Sequence, residues 1–170
     1  GTYITTPEIS QEEAKVAIEI KTSEPNSAIS VETRIVDSKG KEVARSNEFE
    51  VVENKYYQQL TIANPSLWSP ESPALYYAET TLKVGGKAVD CYRTRFGVRT
   101  IEITPDKGFA LNGESRKIKG VCNHHDLGAL GAAVNVSALR RQLTMLKDMG
   151  CDAIRTAHNM PTPELVQLCD

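Results

Sequence analysis

The sequence predicts a mainly β chain in two parts: an immunoglobulin-like β-sandwich over residues 1–103, then an incomplete parallel α/β unit over 104–170. Three observations lead there. Apolar residues recur with period two from Ala14 to about Thr100, the spacing of strands that bury one face. Turn residues separate about seven short strands in that stretch, with no convincing helical spacing among them, as in a sandwich of about 100 residues. After Thr104 the order becomes strand, helix, strand, helix, which marks parallel strands joined by crossover helices.

Taken in order, AKVAIEIKT places Val16, Ile18 and Ile20 on one side of a strand. SAISVETRIVDSKGKEVARS reads as a hairpin: Ile29, Val31, Thr33 and Ile35 alternate before the turn Asp37-Ser38-Lys39-Gly40 reverses the chain. YYQQLTIA and ALYYAETTLKV follow as strands, and each of the pairs Tyr56-Tyr57 and Tyr76-Tyr77 points one ring inward and one outward. Trp68, in LWSPESP, is expected to pack rather than to serve as a sugar-stacking platform. Gly85-Gly86 supplies a tight turn into KAVDCYRTRFGVRTIEI.

In the second part, GFALNGESRKIKGVC carries Asn112-Gly113 between two short strand candidates, the strongest two-residue hairpin signal. VNVSALRRQLTMLKDMG sets Leu139, Leu143 and Leu146 at helical spacing beside Met145 and Met149, with Ser137 or Asn135 as N-cap and Gly150 at the end. CDAIRTAHNMP is a strand running into a polar loop, and PTPELVQLCD starts a second helix with Pro161 and Pro163 near its beginning. Two such repeats fall short of the eight that close a barrel, so Leu139, Leu143, Leu146 and Ile154 are expected to lack part of their apolar cover.

Composition excludes several classes. An apolar content of 40% with 25% charge suits a chain that buries a core. A formal charge of −2 without long runs of one sign offers nothing to nucleic acid or to an anionic membrane. No apolar stretch reaches the roughly 20 residues of a bilayer span, and GTYITTPEIS lacks the blocks of a signal peptide. Cys91, Cys122, Cys151 and Cys169 show no zinc-type spacing and are expected to be free, largely buried thiols.

LWSPESPALYY, the ending YRTRFGVRTIEI, the run GFALNGESRKIKGVCNHHD and the segment DAIRTAHNMP follow one another across Leu67–Asp170. In that order they resemble the junction between sandwich and catalytic barrel in glycoside hydrolase family two, β-galactosidases above all. DAIRTAHNMP is similar to the family's Arg-Thr/Cys-Ser-His-Tyr-Pro segment, with Ala157 in place of a usual serine and Asn159-Met160 in place of a single tyrosine. The resemblance implies a TIM barrel beginning at about residue 104. It also implies that the parent is a retaining, exo-acting β-glycosidase hydrolysing terminal β-galactosides. β-Glucuronidase is the nearest alternative within the family, and a non-catalytic sandwich module is the alternative outside it. The family's two catalytic glutamates come from later barrel strands. Glu102, Glu114 and Glu164 lie outside its catalytic segments, so no catalytic residue is assigned here and the chain alone is expected to be inactive.

Active sites of such barrels form at the carboxyl ends of the strands. His124 and Asp126 follow the first barrel strand, and Arg155 and His158 end the second. By the resemblance, His124, Asp126 and His158 contact sugar hydroxyls and Arg155 orients the nucleophile. Chemically, a carboxylate accepts from hydroxyls, imidazole donates or accepts, and guanidinium pairs a carboxylate through two parallel bonds. Without the resemblance, the two histidines read equally well as ordinary loop residues, and Arg155 as a structural ion-pair partner. His125 is placed behind the sugar contacts. A metal site built from His124, His125, Asp126 and His158 is the rival reading, disfavoured because adjacent histidines on a strand diverge. No cofactor is expected, although sodium or magnesium in the complete enzyme stays open. The expected partner is a β-linked galactoside, homo-oligomerisation is compatible with the sequence, and a periplasmic or secreted location is the leaning.

Overall fold

A computed structural model describes residues 1–23 and 28–170. Ser27, which opens the expected hairpin segment, lies outside the described residues. Chain contacts divide the molecule into two compact units, one comprising Gly1–Ile103 with Ala110–Glu114, the other Thr104–Phe109 with Ser115–Asp170.

The first unit contains strands β1 (Thr2–Ile9), β2 (Glu13–Lys21), β3 (Ile29–Asp37), β4 (Glu42–Ser46), β5 (Glu50–Val52), β6 (Lys55–Ala63), β7 (Tyr76–Val84) and β8 (Lys87–Phe96). They form two four-stranded antiparallel sheets, in the orders β1-β2-β6-β5 and β4-β3-β7-β8. The period-two pattern does its work here. Val16, Ile18 and Ile20 of β2 and Leu60 and Ile62 of β6 cluster with Val31 and Ile35 of β3 and Ala78 of β7. Each of these valine, leucine and isoleucine side chains, removed from water, contributes about 1.5–3 kcal/mol before conformational entropy is charged against it. Tyr56 and Tyr76 are buried while their neighbours Tyr57 and Tyr77 sit nearer the surface, with Tyr57 bonding Glu19 and Arg93 stacking on Tyr77.

Strand β1 escapes the sequence pattern. TYITTPEI alternates threonine and isoleucine weakly, and Pro7 falls inside the register shift between Thr5 and Glu8. Proline is tolerated there because β1 is an edge strand. Inside the sandwich, a polar group interrupts the apolar core: Thr33, Gln58 and Thr80 are all buried. The Thr33 hydroxyl donates to Gln58 Oε1 (2.5 Å) and lies 3.0 Å from the Thr80 hydroxyl, while Gln58 Nε2 donates to the carbonyls of Val31, Ser46 and Glu48. Gln58 stands on one sheet and both threonines on the other, so the cluster ties the sheets together across the core.

Trp68 packs over Gly97, where an added Cβ would come within 2.8 Å of the Trp68 side chain, and the Arg99 guanidinium covers the indole at 4.9 Å. Strands β9 (Ile101–Thr104), β10 (Gly108–Leu111) and β11 (Glu114–Ser115) form a three-stranded sheet in the order β11-β10-β9. Asn112, at φ 53°, turns the chain and accepts from the Thr100 N–H while donating to the Trp68 carbonyl.

The second unit continues with β12 (Gly120–His124), a 3₁₀ turn over Gly128–Leu130, α1 (Val136–Asp148), β13 (Ala153–Ala157) and α2 (Pro163–Cys169). Of the two N-cap candidates, Asn135 fills the role, its side chain accepting from the Ala138 N–H at 2.9 Å. Thr162 caps α2 ahead of Pro163. β12 and β13 pair in parallel, Gly120 opposite Ala153 through His124 opposite Ala157. A Cβ at Gly120 would approach the Ala153 carbonyl oxygen to 2.6 Å, so close pairing there requires glycine. The amino ends are stapled by Asp152, which accepts from the Lys119 N–H (2.8 Å) and from Arg116 (2.8 Å). Leu139, Ala157 and Leu165 are the buried apolar residues of this part, and Leu143, Leu146 and Ile154 remain partly exposed.

One expectation needs correction. All four cysteines are free, but none is buried: Cys91, Cys122 and Cys169 are exposed and Cys151 is intermediate. Cys91 lies on the exposed stretch of edge strand β8, and Cys122 lies on the strand face that carries Arg155 rather than the one covered by α1. Cysteine's general preference for interiors yields here to which face of each strand is covered.

Candidate functional site at the carboxyl ends of two parallel strands

Parallel pairing in register brings two loops together that are about 30 residues apart in sequence. His124 ends β12 and lies opposite Ala157, so the next residue, His158, emerges at the same rim. The two imidazoles meet edge to face, with centroids 5.8 Å apart and planes at 87°. The peptide joining Ala157 to His158 is cis. Arg155 sits opposite Cys122 in the ladder, and its guanidinium lies between the Cys122 thiol (Nη1 to Sγ, 3.8 Å) and His158 (Nη2 to Nδ1, 3.4 Å).

The second loop group is built differently. His124, His125 and Asp126 line a pocket that continues between the strands and helices past Leu139, Gln142 and Leu165. The Asp126 N–H donates to the His124 carbonyl at 2.8 Å, and its Oδ1 accepts from the Gly128 N–H at 2.7 Å. One carboxylate oxygen thus shapes the loop. Asn123, one residue before His124, points toward α1 and donates to Gln142 Oε1 at 3.2 Å.

Of the four residues singled out in the sequence, His124, Arg155 and His158 are therefore joined by direct contacts, and Asp126 shares a pocket wall with His124 and His125. Cys122, to which the sequence assigns no role, touches Arg155. The missing signal was strand register, which pairs Cys122 with Arg155 across 33 positions. Asn123, like Cys122, is given no role by the sequence, and its partner Gln142 was missed, because amide partners on a strand and a helix carry no spacing signature. Among the described residues, no group of three or more histidine, cysteine or acidic side chains is placed to hold a metal ion.

Residues 2–99 match the family profile described as glycosyl hydrolases family 2, and residues 101–170 match that of the family's TIM barrel domain. The chain belongs to glycosyl hydrolase family 2. Its fold is accordingly the family's sandwich followed by the start of its barrel. It is 43% identical to the β-galactosidase BoGH2A of Bacteroides ovatus over 100% of this chain and 21% of that protein. It is 28% identical to a Bacteroides fragilis β-glucuronidase over 100% of this chain and 25% of that one. A solved family 2 member from Bacteroides cellulosilyticus superposes with a TM-score of 0.90 at 35% identity, covering 99% of this chain and 23% of the other. The chain thus spans between a fifth and a quarter of the length of these family 2 relatives.

Proposed function

We propose that the protein to which this family 2 chain belongs is a retaining, exo-acting β-glycosidase that removes terminal β-galactose. The observation that carries the reading is the pairing of β12 with β13, which sets His158 against both His124 and Arg155 at the strand ends. That is where barrels of this kind place their chemistry. In this reading His124, Asp126 and His158 hold sugar hydroxyls, and Arg155 orients a carboxylate nucleophile supplied by a later strand. Retention needs two carboxyl groups about 5–5.5 Å apart flanking the glycosidic bond. None of Glu102, Glu114 and Glu164 is assigned that work, so this chain alone is inactive. Hydrolysis by this route asks for no cofactor.

Galactose is favoured over glucuronic acid by the 43% identity to a β-galactosidase. A β-glucuronidase is the second reading, favoured by the Bacteroides fragilis relative and by 32% identity to the rat β-glucuronidase over 82% of this chain. Purified full-length protein assayed on aryl β-galactoside and aryl β-glucuronide decides between them. Faster turnover of the galactoside is expected. Preference for the glucuronide replaces the first reading with the second, and turnover by the 170-residue chain alone would overturn the account of where the carboxylates lie.

A further inference from the structure

We propose that Arg155, braced against Cys122, fixes His158 as the tautomer protonated on Nε2, making His158 a dedicated hydrogen-bond donor at the rim. The argument starts from an asymmetry of guanidinium chemistry. Arginine carries five N–H donors, has no lone pair to offer, and stays protonated in proteins. Its Nη2 lies 3.4 Å from His158 Nδ1. A hydrogen bond between those atoms therefore has one direction: Nη2–H donates, and Nδ1 accepts with its lone pair. A neutral imidazole that uses Nδ1 as acceptor carries its hydrogen on Nε2.

On its other side Arg155 meets its ladder partner. Cys122 lies directly opposite, on the same face of the sheet, and its Sγ is 3.8 Å from Nη1. A thiol is a small, weak acceptor, so it occupies the other nitrogen of the guanidinium without drawing the charge away from His158. Cys122 and Arg155 are thus positioning residues for the ring. His124 meets the ring edge to face and is a further titratable neighbour.

The consequence for binding rests on the proposed glycosidase reading. A ring with Nε2–H as its free polar atom meets an oxygen lone pair, that of a sugar hydroxyl or carboxylate, and cannot accept a hydroxyl proton. His158 then fixes the orientation of the hydroxyl it touches, which must use its own proton elsewhere. The tautomer itself does not depend on that reading.

Imidazole nitrogen NMR on the 15N-labelled chain tests the proposal. With three histidines in all, His158→Gln identifies the His158 signals by their loss. Measured well above the ordinary imidazole pKa of about 6.5, His158 should show a pyridine-like Nδ1 and a pyrrole-like Nε2, with ring-proton correlations of the Nε2–H form alone. Arg155→Met removes the donor and Arg155→Gln supplies an amide oxygen that can accept from Nδ1–H. In both, the two nitrogen shifts should move toward each other as the second tautomer becomes populated, with amide spectra confirming that β12 and β13 stay paired. An Nδ1–H signal in the unsubstituted chain overturns the proposal, as do nitrogen shifts that do not move in either variant. If the tautomer holds while the full-length protein cleaves neither galactoside nor glucuronide, the glycosidase reading fails and the tautomer assignment stands.

Discussion

At the scale of single residues, the rim groups differ in how firmly the chain holds them. His158 is tied to Arg155 and stacks edge-on against His124, whereas Asp126 spends one carboxylate oxygen on the Gly128 N–H. In the full-length protein, His124→Ala, Asp126→Ala and His158→Ala should each lower kcat/KM for β-galactosides by roughly ten- to a hundredfold. That is the effect of removing one hydrogen bond worth about 1.5–3 kcal/mol in the transition state. Arg155→Ala should act mainly on kcat, through a misplaced nucleophile and a freed His158 ring. His125→Ala should cost less than any of these. Catalytic efficiency near the parent value in all three of the first variants would remove the pocket assignment and leave the family assignment intact.

Elements are held by two polar devices whose loss should be measurable. Gln58 on β6 accepts from Thr33 on β3 and donates to the carbonyls of Val31, Ser46 and Glu48, so its side chain joins the two sheets through the core. Gln58→Leu removes the bond from the Thr33 hydroxyl and the donations to those three carbonyls, leaving Thr33 only its contact with Thr80. It should destabilise the sandwich by about 1–3 kcal/mol, read as a lower urea midpoint. In the second unit Asp152 staples β12 to β13. Burial by itself would push its carboxyl up, but the Lys119 N–H and the Arg116 guanidinium outweigh that and hold it below the usual carboxylate range. A carboxyl lowered by folding stabilises the folded form above its unfolded pKa of about 3.9. That contribution is lost as pH falls through the lower folded value. Asp152→Ala should therefore weaken amide protection in β12 and β13 at pH 7 relative to the unsubstituted chain, and the difference should shrink progressively below about pH 4. A difference that stays constant down through that range would show that the staple is not electrostatic.

On the scale of the whole molecule, the two units should differ in stability. The sandwich buries the aliphatic cluster centred on Ile18, Ile35 and Ile62, while the βα part buries Leu139, Ala157 and Leu165 and leaves Met145, Met149 and Val166 exposed. Apolar burial is the main favourable term, so local opening should be easier in the second unit. Hydrogen exchange on the 170-residue chain should accordingly be slow in β2, β3, β6 and β7 and faster in α1, β13 and α2. Uniform protection across both units in a dilute monomer would contradict this ordering.

The local chain carried much of this in its residue order. Period two in AKVAIEIKT and YYQQLTIA, helical spacing in VNVSALRRQLTMLKDMG and the turn at Asn112-Gly113 each act within a few residues, where backbone geometry alone dictates which side chains share a face. The junction motifs placed His124, Asp126, Arg155 and His158 for the same reason: they are contiguous strings. Long-range pairing lay beyond such reading. Strand β1 depends on an edge position that tolerates Pro7 and a weak pattern. The exposure of Cys122 depends on which face of β12 is covered, and its contact with Arg155 on the register of two strands. The bond from Gln58 to Thr33 depends on two sheets meeting. By itself the sequence determined most of the elements, the family and which residues stand at the strand ends, because those are properties of neighbouring positions along the chain. Only the tertiary structure decided which of those residues touch, because register and face are set by the collective packing of distant strands.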